Sequence, residues 1–297
     1  NGNRFSSLPV TTLTVGLIET IAFGDGGVDT ITTGAGVDVI LGGHDADIIN
    51  AGNGDNVVFG DDGLIDYVRV DRGSTAPGAD ATAGDIDYLT STSTALGGGN
   101  DQITTGTGND IILGGRFADL ITAGAGNNIV IGDSGLMIAA NEDVNRFGAQ
   151  AITVGRIETM TFADGGVDTI TTLGGNDVIL GGNAGDIINA GEGNNLVVGD
   201  DAAIDYVRYE RDGAVPGADT NAADIDYITS LSTTANGGAD TITTGAGNDL
   251  IIGGRLGDFI TAGEGNNLVI GDSGQITAAN GNRFSSLPVT TLTVGLI

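Results

Sequence analysis

Cysteine, tryptophan and lysine are missing from this 297-residue chain, and there is a single histidine, His44. Without cysteine there can be no disulfide staple, no zinc–thiolate cluster and no thiol nucleophile. All ten basic residues are arginine, and they face 39 acids, 33 of them aspartate, for a formal charge of −29. That balance argues against a nucleic-acid partner, because phosphates are held by Lys and Arg. One histidine, with no nucleophile paired to a base, gives no reason to expect an enzyme. No apolar run approaches the roughly 18 residues of a membrane span, and residues 1–18 do not read as a secretory leader. A sustained 3.6-residue period is also lacking, so helix is expected to be minor.

What the chain has in abundance is glycine, 54 residues of it, and aspartate, and the two are ordered. From Gly26 to Asp61 the sequence divides into nines: Asp29, Asp38, Asp47 and Asn56 recur at that interval, with Ile31, Ile40, Ile49 and Val58 two residues after each. The pattern returns at 97–133 (Asp101, Asp110, Asp119, Asn128), at 165–200 (Asp168, Asp177, Asp186, Asn195) and at 237–272 (Asp240, Asp249, Asp258, Asn267). Apolar triplets set between Gly/Asp-rich turns mean brief strands alternating with tight corners, since glycine supplies the positive φ that such corners need. A strong internal period implies a quasi-one-dimensional stack. Acids at fixed loop positions look like ligands, and so large a charge would oppose compaction unless cations are bound.

At these residues the chain resembles the repeats-in-toxin (RTX) family, whose nonapeptide G-G-x-G-x-D-x-U-x forms a calcium-binding parallel β-roll. The resemblance implies that six residues of each cassette make a calcium-holding turn and three a strand, with two cassettes per coil. It further implies that turns sharing an ion are 18 residues apart: Asp29 with Asp47, Asp38 with Asn56, Asp101 with Asp119, Asp168 with Asp186, and Asp240 with Asp258. Ca²⁺ is the implied ligand, a hard cation wanting six to eight oxygens. Asp/Asp pairs should hold it more tightly than Asp/Asn pairs, which lose a charge. The chain departs from the pattern at position four of every third cassette (Asp45, Phe117, Ala184, Leu256) and by Asn for Asp in every fourth. Weak binding, or none, is expected of those loops. Asx-turns without metal are the alternative account of the aspartates.

Residues 1–18 recur unchanged as 280–297, so 280–297 reads as the start of a next tandem unit. The absence of an initial Met agrees with a fragment of a longer array. Within one unit, 1–140 aligns with 141–279 as two half-repeats: IDYVR at Ile65 matches IDYVR at Ile204. Connectors separate the blocks, one kind at 64–96 and 203–236, the other at 136–163 and from Gln275 onward. The first kind reads as strand, Pro-Gly turn and strand, a hairpin or an extra coil. The second is β-branched and strand-like. The expected fold is therefore all-β, a parallel β-roll or β-solenoid with strand-containing connectors packed on one sheet. A second acidic set in the connectors (Asp61, Asp62, Asp66, Asp80, Asp85, Asp87 and Asp200, Asp201, Asp205, Asp219, Asp224, Asp226) suits either another calcium or solvated turns. His44 reads as a surface residue, and Tyr67, Tyr88, Tyr206 and Tyr227 as packing for the connectors.

In a three-residue strand the middle side chain points one way and its neighbours the other. The middle residue is Ile or Val in all sixteen cassettes, so it fills the roll. The flanking pair is polar in first cassettes (Thr30 with Thr32) and apolar in second and fourth ones (Val39 with Leu41, Val57 with Phe59). The sheet made by the latter is apolar on both faces and must be covered, by connector strands or by a neighbouring chain. Thr-x-Thr triplets occupy one cassette in four, so no flat threonine ladder of the ice-binding kind is expected. Function reads as a calcium-stabilised structural repeat of an extracellular or cell-surface bacterial fibre, sheath or giant surface protein, a filament joined to copies of itself. The alternatives are an extender or ligand-binding region of an RTX adhesin, and the secretion tail of an exported toxin or hydrolase.

Overall fold

The computed structural model describes residues 15–21, 23–69, 85–93, 97–140, 152–160, 163, 165–208, 225–278 and 294–296. Every nonapeptide triplet is a strand. First and third cassettes form one eight-stranded parallel sheet: Thr30–Thr32, Ile48–Gly52, Gln102–Thr105, Leu120–Thr122, Thr169–Thr171, Ile187–Asn189, Thr241–Thr243 and Phe259–Thr261. Second and fourth cassettes form another: Val39–Leu41, Val57–Phe59, Ile111–Leu113, Ile129–Ile131, Val178–Gly182, Leu196–Asp200, Leu250–Ile252 and Leu268–Ile270. Ile48 pairs with Gln102 and Leu120 with Thr169, so the four blocks stack on one another and the connectors loop out. The middle residues meet inside, Ile49, Ile103, Ile121 and Ile170 from one sheet against Val58, Ile112, Val130 and Ile179 from the other, all buried.

The connectors build a third sheet. Its nine antiparallel strands follow chain order: Leu17–Glu19, Gly63–Asp66, Tyr88–Ser91, Gly135–Ala139, Val154–Thr159, Ala202–Asp205, Tyr227–Ser230, Gln275–Ala278 and Val294–Leu296. Gly63 faces Ser91 and Asp66 faces Tyr88, so the first connector is a hairpin and not an extra coil; its Pro77-Gly78 and Pro216-Gly217 turns lie outside the described residues. This sheet lies on the doubly apolar one: Ile65, Leu89, Met137, Ile157, Ile204, Ile228 and Ile276 pack with Phe59, Leu113, Leu180 and Ile252, and Leu41 joins as a partly buried neighbour. Burying an apolar side chain is worth about 1.5–3 kcal/mol. Sixteen outward flanks left wet would therefore cost more than the ~5–15 kcal/mol by which a domain is stable. The chain covers them itself, and no neighbouring molecule is required on that side.

Tyr67 and Tyr206 are buried in this layer. Tyr88 and Tyr227 carry Arg69 and Arg208 over their rings, with guanidinium carbons 3.7 and 4.0 Å from the centroids. His44 is half-buried, its Nε2 3.7 Å from the Asp45 carboxylate.

Two features go beyond expectation. Because first and third cassettes alternate in one sheet, one outward row reads Thr32, Asn50, Thr104, Thr122, Thr171, Asn189, Thr243, Thr261, so a Thr/Asn ladder does form. The position-four residues that replace glycine keep its left-handed backbone: φ is 70° at Asp45, 72° at Phe117, 81° at Ala184 and 73° at Leu256. That conformation costs an L-residue roughly 1–2 kcal/mol, partly offset by glycine's extra chain entropy. Leu256 is also 62% exposed and packs little. Leu256→Gly is therefore expected to stabilise the roll by about 0.5–1 kcal/mol, read as a raised midpoint in thermal unfolding.

Candidate metal centre

The turns lie along two edges of the roll, and the sixteen candidate residues form one ladder on each. On the first edge every rung is aspartate. The main-chain N–H of Asp29 donates to Oδ1 of Asp47 (2.7 Å), Asp47 to Asp101 (2.7 Å), Asp101 to Asp119 (2.7 Å), Asp119 to Asp168 (2.8 Å), Asp168 to Asp186 (2.8 Å), Asp186 to Asp240 (2.7 Å) and Asp240 to Asp258 (2.9 Å). The pairs 18 residues apart are neighbours. So are pairs from different blocks, 54 residues apart at Asp47/Asp101 and 49 at Asp119/Asp168, which the sequence reading did not connect.

On the second edge aspartate and asparagine alternate. Asp38 N–H donates to Asn56 Oδ1 (3.1 Å), Asn56 to Asp110 (2.9 Å), Asp110 to Asn128 (3.1 Å), Asn128 to Asp177 (2.8 Å), Asp177 to Asn195 (3.1 Å), Asn195 to Asp249 (2.9 Å) and Asp249 to Asn267 (2.7 Å). The amide Nδ2 of Asn56 and of Asn128 also donates to the next aspartate, at 2.9 and 3.0 Å. Thr244 Oγ1 donates to the second oxygen of Asp249 at 2.7 Å. Half the charge is gone from this edge, and side chains meet part of what remains.

The first edge has no such relief. One carboxylate oxygen of each rung after Asp29 is used, while Oδ2 of the same seven, Asp47, Asp101, Asp119, Asp168, Asp186, Asp240 and Asp258, is buried without a partner. A buried, unpartnered carboxylate oxygen costs several kcal/mol unless something positive meets it. Burial pushes Asp101 and Asp240 up to about 7, well above the carboxylate range, against the main-chain hydrogen bonds that lower them. Asp119 and Asp186 are raised by burial and then by the neighbouring Asp168 charge.

Beside each orphaned oxygen lies a glycine carbonyl. A methyl placed on Gly42 would stand 2.4 Å from Asp47 Oδ2 and 2.0 Å from the Gly60 carbonyl; on Gly132, 2.3 Å from Asp168 Oδ2 and 2.5 Å from the Gly181 carbonyl; on Gly199, 2.1 Å from Asp240 Oδ2 and 2.3 Å from the Gly253 carbonyl. Carboxylate and carbonyl oxygens thus converge around a space that only glycine leaves open. Among the described residues no three carboxylate or imidazole side chains form a cage. The donors on offer are one or two carboxylates with main-chain carbonyls, a mixture suited to a hard cation. A family model, the RTX calcium-binding nonapeptide repeat in four copies, matches residues 23–63, 96–121, 104–135, 162–197, 234–255 and 257–275, more than half of the chain. The chain belongs to the RTX family. No curated protein and no solved structure matches it.

In this RTX chain the residues present fit calcium. The Asp rungs of the first edge with the glycine carbonyls beside them would hold the ions, and bound calcium would supply the positive charge that the facing carboxylates lack.

Three further aspartates end blocks, Asp61 and Asp200 from the second acidic set and Asp133, which the sequence reading gave no role. Where a connector leaves the roll, Asp61, Asp133 and Asp200 each bridge two turns. Asp61 accepts N–H bonds from Gly99 (2.9 Å) and Arg116 (2.5 Å), Asp133 from Gly166 (3.0 Å) and Asn183 (2.5 Å), and Asp200 from Gly238 (2.7 Å) and Arg255. These carboxylates close the corner that the connector opens. The signal was the Gly-Asp pair ending every block, set just before the connector.

Among the remaining connector acids, Asp85 accepts from the Thr153 hydroxyl (3.0 Å) and Asp201 from that of Ser232 (2.6 Å), and three others accept main-chain N–H bonds. Asp66 takes the Val68 N–H (3.0 Å) and Asp205 that of Val207 (3.1 Å), as Asx-turns do, whereas Asp87 takes the Arg69 N–H (2.6 Å) from the other arm of the hairpin. Asp80, Asp219 and Asp224 lie outside the described residues.

Proposed function

We propose that this chain is a calcium-stiffened structural repeat of an extracellular bacterial fibre, sheath or giant surface protein, joined head to tail, with no catalytic role. One observation carries the reading. Val294–Leu296, from the second copy of residues 1–18, pairs with Gln275–Ala278 in the register Thr277↔Leu296 and Ala278↔Val294. The half-repeat junction uses the same register, Ile138↔Arg156 and Ala139↔Val154. The strand that opens the next unit thus sits where the strand opening the second half-repeat sits.

Other features agree with continuation. Asp272, exposed, is the counterpart of Asp133, and the next unit's Gly27 and His44 N–H groups are the counterparts of those Asp133 accepts. Val269, whose side chain belongs to the inward row, is 43% exposed in the last coil, where a following coil would cover it. RTX repeat proteins are generally secreted, and extracellular calcium is high enough to fill sites of modest affinity that stay empty in the cytosol.

The test is electron microscopy of native material with and without chelator. Eight coils at ~4.8 Å per strand give an axial repeat of about 38 Å per unit. A rod with that repeat is expected in calcium, and loss of the rod in chelator. Native material without an axial repeat near that value refutes the head-to-tail reading.

A further inference from the structure

We propose that the outward face of the first-and-third-cassette sheet is a lateral docking surface, and that its occupant is the same face of a second copy of this chain. The face has sixteen outward positions in two rows. One is the Thr/Asn row. The other reads Thr30, Ile48, Gln102, Leu120, Thr169, Ile187, Thr241, Phe259, with Ile48, Leu120, Ile187 and Phe259 exposed by 47, 46, 51 and 67%. Val28, Phe117, Val167 and Leu256 are exposed on the turns leading into the same strands. These eight are most of the thirteen large apolar side chains exposed among the described residues. Apolar exposure concentrated on one side of a molecule marks a contact surface.

Charge selects the occupant. None of the sixteen positions is charged, in a chain carrying −29. Exposed acids stand on both turn edges, Asp25, Asp29 and Asp45 on the first and Glu192 and Glu264 on the second, and the antiparallel sheet displays Arg156 and Glu158. Two such chains approaching edge to edge bring carboxylates together, whereas at the sixteen strand positions of this face they meet Thr, Asn, Gln and apolar groups alone. Spacing selects it too. A second copy has the same distance between strands, so its rows stay in step with these along the whole face; a partner with another period would match only locally.

Size sets the strength. Eight strands at ~4.8 Å by three residues at ~3.3 Å make a face of about 38 by 10 Å. Two such faces bury on the order of 800 Å², below the ~1,200 Å² of a stable pair. Single units therefore pair weakly, and a row of units on one filament pairs by summing many weak contacts. This surface extends the structural reading without depending on the calcium sites, and the two fail separately.

The test uses the calcium-loaded 297-residue chain in sedimentation velocity from micromolar to millimolar concentration, with thermal melting of the same samples. Since the chain has no cysteine, Thr122→Cys on the face and Ala125→Cys on the second turn edge report proximity by oxidative cross-linking. Mass rising with concentration is expected, with Thr122→Cys cross-linking at least about tenfold faster than Ala125→Cys. Thr104→Glu combined with Thr171→Glu should abolish the rise and leave calcium-dependent melting unchanged. A chain that stays monomeric throughout overturns the proposal, as do equal cross-linking rates or undiminished association of the glutamate variant. Adsorption of unpaired monomers to ice or to an insoluble polysaccharide through this face also overturns it. In any of these cases, melting that still depends on calcium leaves the structural reading standing.

Discussion

Chelating calcium at neutral pH is expected to unfold the roll as a whole. The first edge has eight aspartate rungs and so seven spaces between them. An ion held at a hundred times its dissociation constant contributes about 2.7 kcal/mol. Seven of them sum to roughly 19 kcal/mol, above the ~5–15 kcal/mol a domain has in total. Circular dichroism should show the β signal lost in chelator and regained on adding calcium. An unchanged melting curve in chelator would show that the aspartates are turn acceptors and nothing more. Acid offers an independent check, because burial raises Asp101 and Asp240 to about 7 without metal, against 3.8 unfolded. A group raised on folding contributes stability fully present below its unfolded value and lost as pH rises through its folded one. The metal-free chain should therefore gain stability as pH falls from about 8 toward 4. The calcium-loaded chain should lose it over the same range, as protons compete with the ion. Opposite slopes in paired titrations are the expected signature.

The second large effect is a single methyl. In Gly132→Ala the added carbon would stand 2.3 Å from Asp168 Oδ2 and 2.5 Å from the Gly181 carbonyl, inside the space those oxygens surround. Overpacking costs ~1–3 kcal/mol, and the loss of one ion about 2.7 kcal/mol more. A total of roughly 4–6 kcal/mol is expected, together with a drop of one or two in calcium stoichiometry by isothermal titration. The matched control is Gly174→Ala on the other edge, where a methyl meets nothing closer than the Glu192 carbonyl at 3.6 Å. Equal effects at the two positions would separate the glycine ladder from calcium.

The roll was readable from sequence because its period is short and its inward row is invariant in kind. Ile31, Ile40 and their successors state which way each strand faces, and strand length and corner chemistry follow from the same nine residues. The need to cover the doubly apolar sheet was also readable, from Leu41, Leu113, Leu180 and Ile252. One thing was not. That the four blocks form one stack depends on Ile48 finding Gln102 across a connector, a pairing encoded by no local signal. The placing of every Asn rung on one edge was readable as well, from the rule that pairs Asp38 with Asn56 and Asp29 with Asp47. Two cassettes per coil send even-numbered cassettes to the same side, so an Asn in every fourth one alternates with Asp there and never reaches the other edge.

The corners closed by Asp61, Asp133 and Asp200 have one more consequence. The excursions they span differ, with 38 residues separating Asp61 from Gly99, 33 separating Asp133 from Gly166 and 38 separating Asp200 from Gly238, yet each returns the chain to the same hydrogen-bonding place. The rise of the coil is therefore indifferent to how much polypeptide leaves at that point. These corners are natural grafting sites, where foreign segments could be spliced in at regular axial intervals without altering the pitch of the rod beneath them.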